Sequence, residues 1–383
     1  MFDGFVRDNG DVGTRNYLLI LGVTGLTAPI VRRLGALMPQ AVTLATTSGS
    51  GLIGDDKALH HCILKSYATH PNVGGVLVLG HDERLVRGVA DAAAEVSRPH
   101  EALIFDELGH DALVMTERGL KAALHLQHSL SRLRREPCDT RHIFMGGECG
   151  RSDPSSGLVA NPLVGLIADR IVDAGGRAVI GETTEWLGAE HLLAERASSP
   201  ELAQAIIDAA LRREQMAIDA GIDMTGANPG QTNIDAGLSS IEEKSLGAIA
   251  KSGSRPITGL LSYGERPAQP GLYVMDQGSY APESVSGFVA AGANLVLFTT
   301  GVGNAYGSAL APTLKISGNP ETAARLGHQL DFDASTAFRG ERSLEALAEA
   351  LETTMLDIAS GSLAWSEALG ETNEAFTRLG PSF

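Results

Sequence analysis

Tyr17–Thr46 reads YLLILGVTGLTAPIVRRLGALMPQAVTLAT. Its ends, Tyr17–Val23 and Val42–Thr46, are short apolar runs, and Ala28–Leu37 between them carries apolar residues at helical spacing. A strand buried on both faces is written as a continuous apolar run and not as an alternation. Parallel neighbours also need a crossover, usually a helix, so the stretch reads as one unit of a parallel sheet. The pattern continues with strands expected at Val73–Leu79 and Ala102–Phe105, and helices at Asp56–Ala68, Glu83–Val96 and Ala112–Leu133. After the polar Arg132–Arg141, RLRREPCDTR, it restarts. Strands are expected at His142–Gly146, Ala178–Gly181, Leu272–Met275 and Asn294–Thr299, and helices at Leu163–Ala174 and Ala189–Ala220. Asp223–Gly237, rich in Gly, Asn and Pro, reads as a long loop, and Ser343–Leu369 as an amphipathic helix. The expected fold is therefore α/β, with two Rossmann-like parallel-sheet domains and a C-terminal helical tail. Residues 1–138 form the first domain, and residues 139–383 form the second, which carries most of the active site.

A chain of 383 residues is long enough for two such domains. Its 45 glycines and 5% aromatic content suit many tight strand-to-helix turns. No apolar run is long enough to span a bilayer, and the start lacks the apolar core of a secretion signal, so a cytoplasmic protein without membrane contact is expected. Three cysteines far apart argue against a disulfide framework. A net charge of −16 argues against nucleic-acid binding. The same charge repels a small anion, so a site for one must bring its own cations, helix N-termini or metal.

The densest chemistry lies in Gly147–Pro162, GECGRSDPSSGLVANP. It follows an expected strand and precedes an expected helix, with Asn161 a candidate N-cap and Pro162 a first-turn proline. Ligands of open α/β sheets bind at such carboxyl ends of strands. A carboxylate, a thiol, a guanidinium and several hydroxyls within a few residues favour a site over a plain polar turn. Glu182 and His191, in ETTEWLGAEH, are candidate metal ligands, whereas Glu185 and Glu190 read more simply as acids favouring a helix start. In Ile241–Gly253, IEEKSLGAIAKSG, Lys244 is a candidate base if burial lowers its pKa, although a charged exposed helix face would look the same. Asp276 ends a strand, and Thr299–Gly303 follows another with glycines that would let backbone N–H groups approach an anion. The glycine spacing there is neither that of a P-loop nor that of a dinucleotide fingerprint.

Taken in order, GFVRDNGDVGTRNYLLIL, CGRSDPSSGLVANP, ETTEWLGAEHLL, EEKSLGAIAKSG, AGANLVLFTTGVGNAYGSALAPTLKISGNP and DFDAS resemble the altronate/galactarate dehydratase family along nearly the whole chain. That family includes the large subunit of sulfolactate sulfo-lyase. The resemblance implies a lyase that removes water or sulfite from a small anionic 2-hydroxy acid, using a divalent metal, Fe²⁺ or Mn²⁺. Its implied metal ligands are Cys149, Glu182 and His191 or Asp276. Arg151, Ser152, Asp153, Asn161, Thr299, Thr300, Gly301 and Lys315 are the expected substrate contacts, with Lys244, Glu182 and Arg151 catalytic. Single-chain members carry a small N-terminal domain with an active-site histidine, while this chain starts at GFVRDNGDVGTRN, so a separate small subunit and an oligomer are expected. Family members place Cys-containing turns after the second and third strands; here the matching stretches are Thr47–Gly51 and Gly80–Glu83, without a thiol. Two other classes remain open: a metal-dependent sugar-acid hydrolase or isomerase, and a non-catalytic subunit.

Overall fold

The structure, a computed structural model, describes residues 1–49, 51–222 and 228–377. It divides into two compact units. One is Asp3–Cys138 with residues 309–311 and 373–383; the other is Asp139–Ser308 and Pro312–Thr372 with the first two residues.

The first unit is built on a four-stranded parallel sheet in the order Val42–Ala45, Tyr17–Gly22, Val73–Gly80, His100–Ile104. On one face Leu18, Ile20, Leu77 and Leu79 pack with Ile30, Val31, Leu34, Met115 and Leu126 of the helices Ala28–Leu37 and Ala112–Leu130. Leu19 and Leu21, pointing the other way, are equally buried, which is why the strand is apolar at every position. Asp82 and Asp111 begin their helices by accepting from backbone N–H groups of the first turn. A small antiparallel pairing, Phe5 with Gly13 and Val6 with Val12, lies outside the alternation read from the sequence.

The second unit holds a seven-stranded, all-parallel sheet. Its order is Ile257–Leu261, Gly271–Met275, Arg177–Ile180, Phe144–Cys149, Leu295–Thr299, Thr313–Ser317, Phe332–Asp333. The chain enters at Phe144–Cys149, places three strands on one side of it, with Gly271–Met275 inserted between Arg177–Ile180 and the earlier edge strand Ile257–Leu261, then returns to lay Leu295–Thr299 on the opposite side. The order thus reverses between these two strands, with Cys149 in register with Thr299. Crevices at such reversals are where α/β sheets bind ligands.

Several expected boundaries move. The strand placed at His142–Gly146 runs from Phe144 to Cys149, so Glu148 and Cys149 are buried strand residues and not loop residues. Asn161 is no N-cap: Ser156–Ala160 already forms a turn of π-helix leading into the helix Asn161–Asp173, and the Asn161 side chain faces inward. The long helix expected at Ala189–Ala220 is two, Glu190–Ala194 and Pro200–Asp219. Pro200 has no N–H to continue a helix, and Ser199 caps the new start through Leu202 N–H. Within Asp223–Gly237, residues 223–227 lie outside the described residues and Gln231–Asp235 is a short helix. The C-terminal helix is also split, at Leu344–Ala359 and Trp365–Leu369, around Gly361. Its first part is joined to the sheet-covering helix by Arg170–Glu352, 2.7 Å.

Candidate active site

Cys149 is the last residue of its strand, and Glu182 follows the end of the neighbouring strand Arg177–Ile180. Glu182 adopts φ 63°, ψ 54°, a left-handed conformation that costs a non-glycine residue about 1 kcal/mol or more. It is held there as the entry to the turn Thr183–Trp186, pinned by Trp186 Nε1 donating to Gly181 O at 2.9 Å. In this pose the Glu182 carboxylate accepts from Cys149 N–H at 3.3 Å, and Glu185 is turned inward with Oε2 3.4 Å from Cys149 Sγ.

Two lysines arrive from the opposite side on the helix Ile241–Ile249 and the 3₁₀ turn after it. Close approach is possible because Gly247 meets Gly157: a Cβ on Gly247 would stand 2.9 Å from Gly157 Cα. Likewise a Cβ on Gly165 would stand 2.3 Å from Ala250 O. The turn is fastened beyond Gly253 by Asp169, which accepts from Ser254 N–H at 2.8 Å. Lys244 Nζ then pairs with Glu185 Oε1 at 2.7 Å and donates to Asn228 Oδ1. Lys251 Nζ contacts Glu182 Oε2 and lies 2.8 Å from Cys149 Sγ, with both partners of the ion pair 1% exposed. Glu148 completes the cluster, fully buried, with Oε2 accepting from Ser284 Oγ at 2.6 Å and Oε1 without a hydrogen-bond partner.

Burial and the neighbouring Glu182 push both the Glu148 carboxyl and the Cys149 thiol well above their ordinary values. Burial and Glu185 also raise Glu182, against the pull of Lys251. For Glu185 burial works upward too, but Lys244 and Lys251 prevail and hold it below the ordinary carboxylate range. Burial opposes the charge on Lys251, yet the surrounding acids outweigh it and keep it an ammonium. Two acids, Glu182 and Glu185, thus face the two lysines in paired contacts inside the protein.

Lys244 corrects the sequence reading. Burial alone would lower its pKa, as the reading as a base required, but the ion pair with Glu185 raises it, so the resting side chain is an ammonium. The backbone cradle expected at Thr299–Gly303 is also absent. The N–H of Thr300 is spent on Ile316 O, those of Gly301 and Val302 on Arg151 O, and that of Gly303 on Thr300 Oγ1. Asp276 is engaged elsewhere, by Arg212 at 3.1 Å, Arg213 at 3.0 Å and Thr183 at 3.0 Å, and thereby ties the helix Pro200–Asp219 to a strand end. His191 is exposed on its short helix. Among the described residues, the group of His, Cys, Asp and Glu whose donor atoms converge is Cys149, Glu182 and Glu185, all within 4.8 Å of one another; neither His191 nor Asp276 belongs to it.

A cavity of about 290 Å³ opens beside the cluster, lined among others by Cys149, Ser152, Asp153, Asn161 and Lys244. Ser152 is buried with its hydroxyl unpartnered. Asp153 is engaged by Ser155 at 2.6 Å and by Asn319 at 2.6 Å, and so shapes the wall more than it offers a free carboxylate. Asn161 donates to Gly247 O at 2.9 Å and accepts from Thr299 at 2.5 Å, which places Thr299 behind the wall. Thr300, Gly301 and Lys315 are buried in the sheet end; Lys315 donates to Asn304 O at 2.7 Å over the Phe298 ring. Arg151 is exposed, at φ 56°, and among the described residues its guanidinium has no partner.

Sequence reasoning missed Lys251 and set Glu185 aside. A signal for Lys251 was present: it stands seven residues after Lys244, two helical turns on, in an otherwise small and apolar stretch. Glu185 had none, because an acid in a helix-starting position looks the same whether or not a lysine from elsewhere reaches it.

The donor set suits a divalent ion. Cys149 Sγ lies 3.4 Å from Glu185 Oε2 and 3.7 Å from Glu182 Oε2, the spacing that metal bonds of about 2.0–2.3 Å impose on neighbouring ligands.

The profile described as D-galactarate/Altronate dehydratase, C-terminal, matches residues 140–382, and that of the D-galactarate dehydratase/Altronate hydrolase second domain matches residues 4–131. The chain belongs to the D-galactarate/altronate dehydratase family, and with it to the lyases. It is 34% identical to the (2R)-sulfolactate sulfo-lyase subunit beta of Chromohalobacter salexigens, over 99% of this chain and 97% of that one. It is 32% identical to the altronate dehydratase of Bacillus subtilis, over 94% of this chain and 74% of that one. Identity to the galactarate dehydratase (L-threo-forming) of Escherichia coli is likewise 32%, over 94% and 73%.

Proposed function

We propose that this chain is the larger subunit of a metal-dependent lyase that eliminates water or sulfite from C3 of a small 2-hydroxy acid. The observation that carries this reading is the meeting of Cys149, Glu182, Glu185, Lys244 and Lys251 beside a cavity at the reversal point of the sheet. Cys149, Glu182 and Glu185 would hold Fe²⁺ or Mn²⁺. When bound, such an ion supplies Lewis-acid polarisation of the substrate carboxylate and 2-hydroxyl.

The chain's own residues account for the rest. Ser152 Oγ and the exposed Arg151 guanidinium bind the anionic end of the substrate, which the net charge of −16 would otherwise repel. Lys244, an ammonium in the cavity wall, faces the negative charge that develops as C2 loses its proton and can deliver a proton to a departing hydroxide. The C2–H bond breaks toward a base, its electron pair forms the C2–C3 double bond, and the C3 group leaves with its own pair. The enol so formed becomes the 2-keto acid. Among the described residues lining the cavity, Asp153 is hydrogen-bonded in the wall and Glu243 accepts from Ser239 at 2.8 Å. A base from a separate small subunit fits that arrangement, and the near-complete overlap with a protein named as a subunit supports it.

The test is to supply the purified chain, with Fe²⁺ or Mn²⁺ and with the candidate small subunit, with (2R)-sulfolactate, altronate and galactarate. A 2-keto acid is expected from one of them, accompanied by sulfite only from sulfolactate. No keto acid from any would overturn the proposal. With the accepted substrate, Arg151→Leu is expected to raise KM at least tenfold with little change in thermal stability; an unchanged KM removes Arg151 from the anion site.

A further inference from the structure

Lys251 is an unusual neighbour for a set of metal ligands. A buried lysine ordinarily needs one acid, yet its ammonium touches two of the three converging donors, Cys149 Sγ at 2.8 Å and Glu182 Oε2. Those two atoms are 3.7 Å apart. An ion bonded to both at about 2.0–2.3 Å must lie close to the line between them. Lys251 Nζ stands beside the same line, so ion and ammonium cannot both keep their places: two cations that near repel strongly in a buried site.

A second observation concerns a buried oxygen next to this group. Glu148 precedes Cys149 on the same strand, is 0% exposed, and has Oε1 without a hydrogen-bond partner. Its other oxygen is fixed by Ser284, which in turn accepts from Gln277 Nε2 at 2.6 Å. A buried carboxyl oxygen left bare is costly and rare, and it can accept a hydrogen bond from a donor brought to it. Lys251 is close enough for its charge to act on Glu148.

We propose that Lys251 is the site's resident stand-in cation: it holds Cys149 and Glu182 together in the ion-free chain, and divalent-ion entry transfers its ammonium to Glu148 Oε1. This rests on the metal-binding part of the proposed function. It makes ion binding an exchange, and explains how a cage of acids survives inside the protein without its ion.

The experiment is Mn²⁺ binding to the chelator-treated full chain, read as loss of the free Mn²⁺ paramagnetic resonance signal. Lys251→Met is expected to bind Mn²⁺ at least tenfold more tightly than wild type. Its thermal midpoint should lie below the wild-type value without the ion and recover with it. Glu148→Leu is expected to weaken Mn²⁺ binding in the wild-type background but not in the Lys251→Met background, a coupling that a merely structural Glu148 would not show. Equal or weaker binding by Lys251→Met overturns the inference and leaves the metal reading standing; no binding by either protein overturns both. Should Lys251→Met fail to fold, the wild-type chain crystallised with Mn²⁺ decides. Nζ on Glu148 with the anomalous peak between Cys149, Glu182 and Glu185 supports the exchange, and Nζ still on Cys149 refutes it.

Discussion

Glu185→Gln isolates the pair that fixes the state of Lys244. The two side chains meet at 2.7 Å, with Lys244 12% and Glu185 4% exposed. Removing one partner of such a buried pair costs about 3–5 kcal/mol, because the remaining charge is stranded. Glutamine keeps a carbonyl oxygen, and Asn228 Oδ1 still accepts from Lys244, so the lower end applies, about 3 kcal/mol. At roughly 2–4 °C per kcal/mol for a domain of this size, the thermal midpoint should fall by about 6–12 °C. The assay is urea unfolding at neutral pH of the wild type, Glu185→Gln, Lys244→Met and the double variant. The double variant should recover much of the loss, giving a coupling of about 2 kcal/mol. Acid dependence follows from the same pair. Glu185 is held below its ordinary pKa, so its contribution is complete above the ordinary carboxylate range and is lost as the pH falls through its lower folded value. A coupling below about 0.5 kcal/mol would refute the argument, for it would mean the pair behaves as a solvated surface contact.

Native thiol titration should find one fast cysteine, the exposed Cys62, with Cys138 and Cys149 reacting only on unfolding; two or more fast thiols would contradict the burial of Cys149. Lys315, whose pKa burial lowers to about 8, destabilises the fold while charged. That penalty, about 3 kcal/mol, is full below its folded pKa and is relieved as the pH rises from there toward the ordinary lysine value of about 10.4. Lys315→Met should therefore be more stable at pH 7 and lose that alkaline gain, and an unchanged pH profile of unfolding would exclude the account. Gly247→Ala sets a methyl 2.9 Å from the Gly157 backbone and should cost about 1–3 kcal/mol, with loss of activity, by pushing the lysine-bearing helix outward. A fully active, equally stable Gly247→Ala would show that the close approach is dispensable.

The sequence by itself determined the architecture. Doubly buried parallel strands must be apolar at every position, so YLLILG and its counterparts were legible as strands without any partner in view. The same logic placed Cys149 and Glu182 at strand ends, where an α/β sheet puts its chemistry. Breaks inside helices were less legible, because Pro200 is compatible with both a kink and a new start until its cap is seen. What only the tertiary structure decided is the charge state and company of each group. Lys244 reads as a base in isolation and becomes an ammonium because Glu185, 59 positions earlier, turns inward to meet it. Lys251 reaches Cys149 across 102 positions, through a glycine contact that no local pattern announces. Asp276, equally acidic and also at a strand end, is drawn off by two arginines. Local periodicity encodes backbone and burial, whereas a pKa or a ligand set depends on which distant side chains share a few ångströms, and that is settled only when the helices pack.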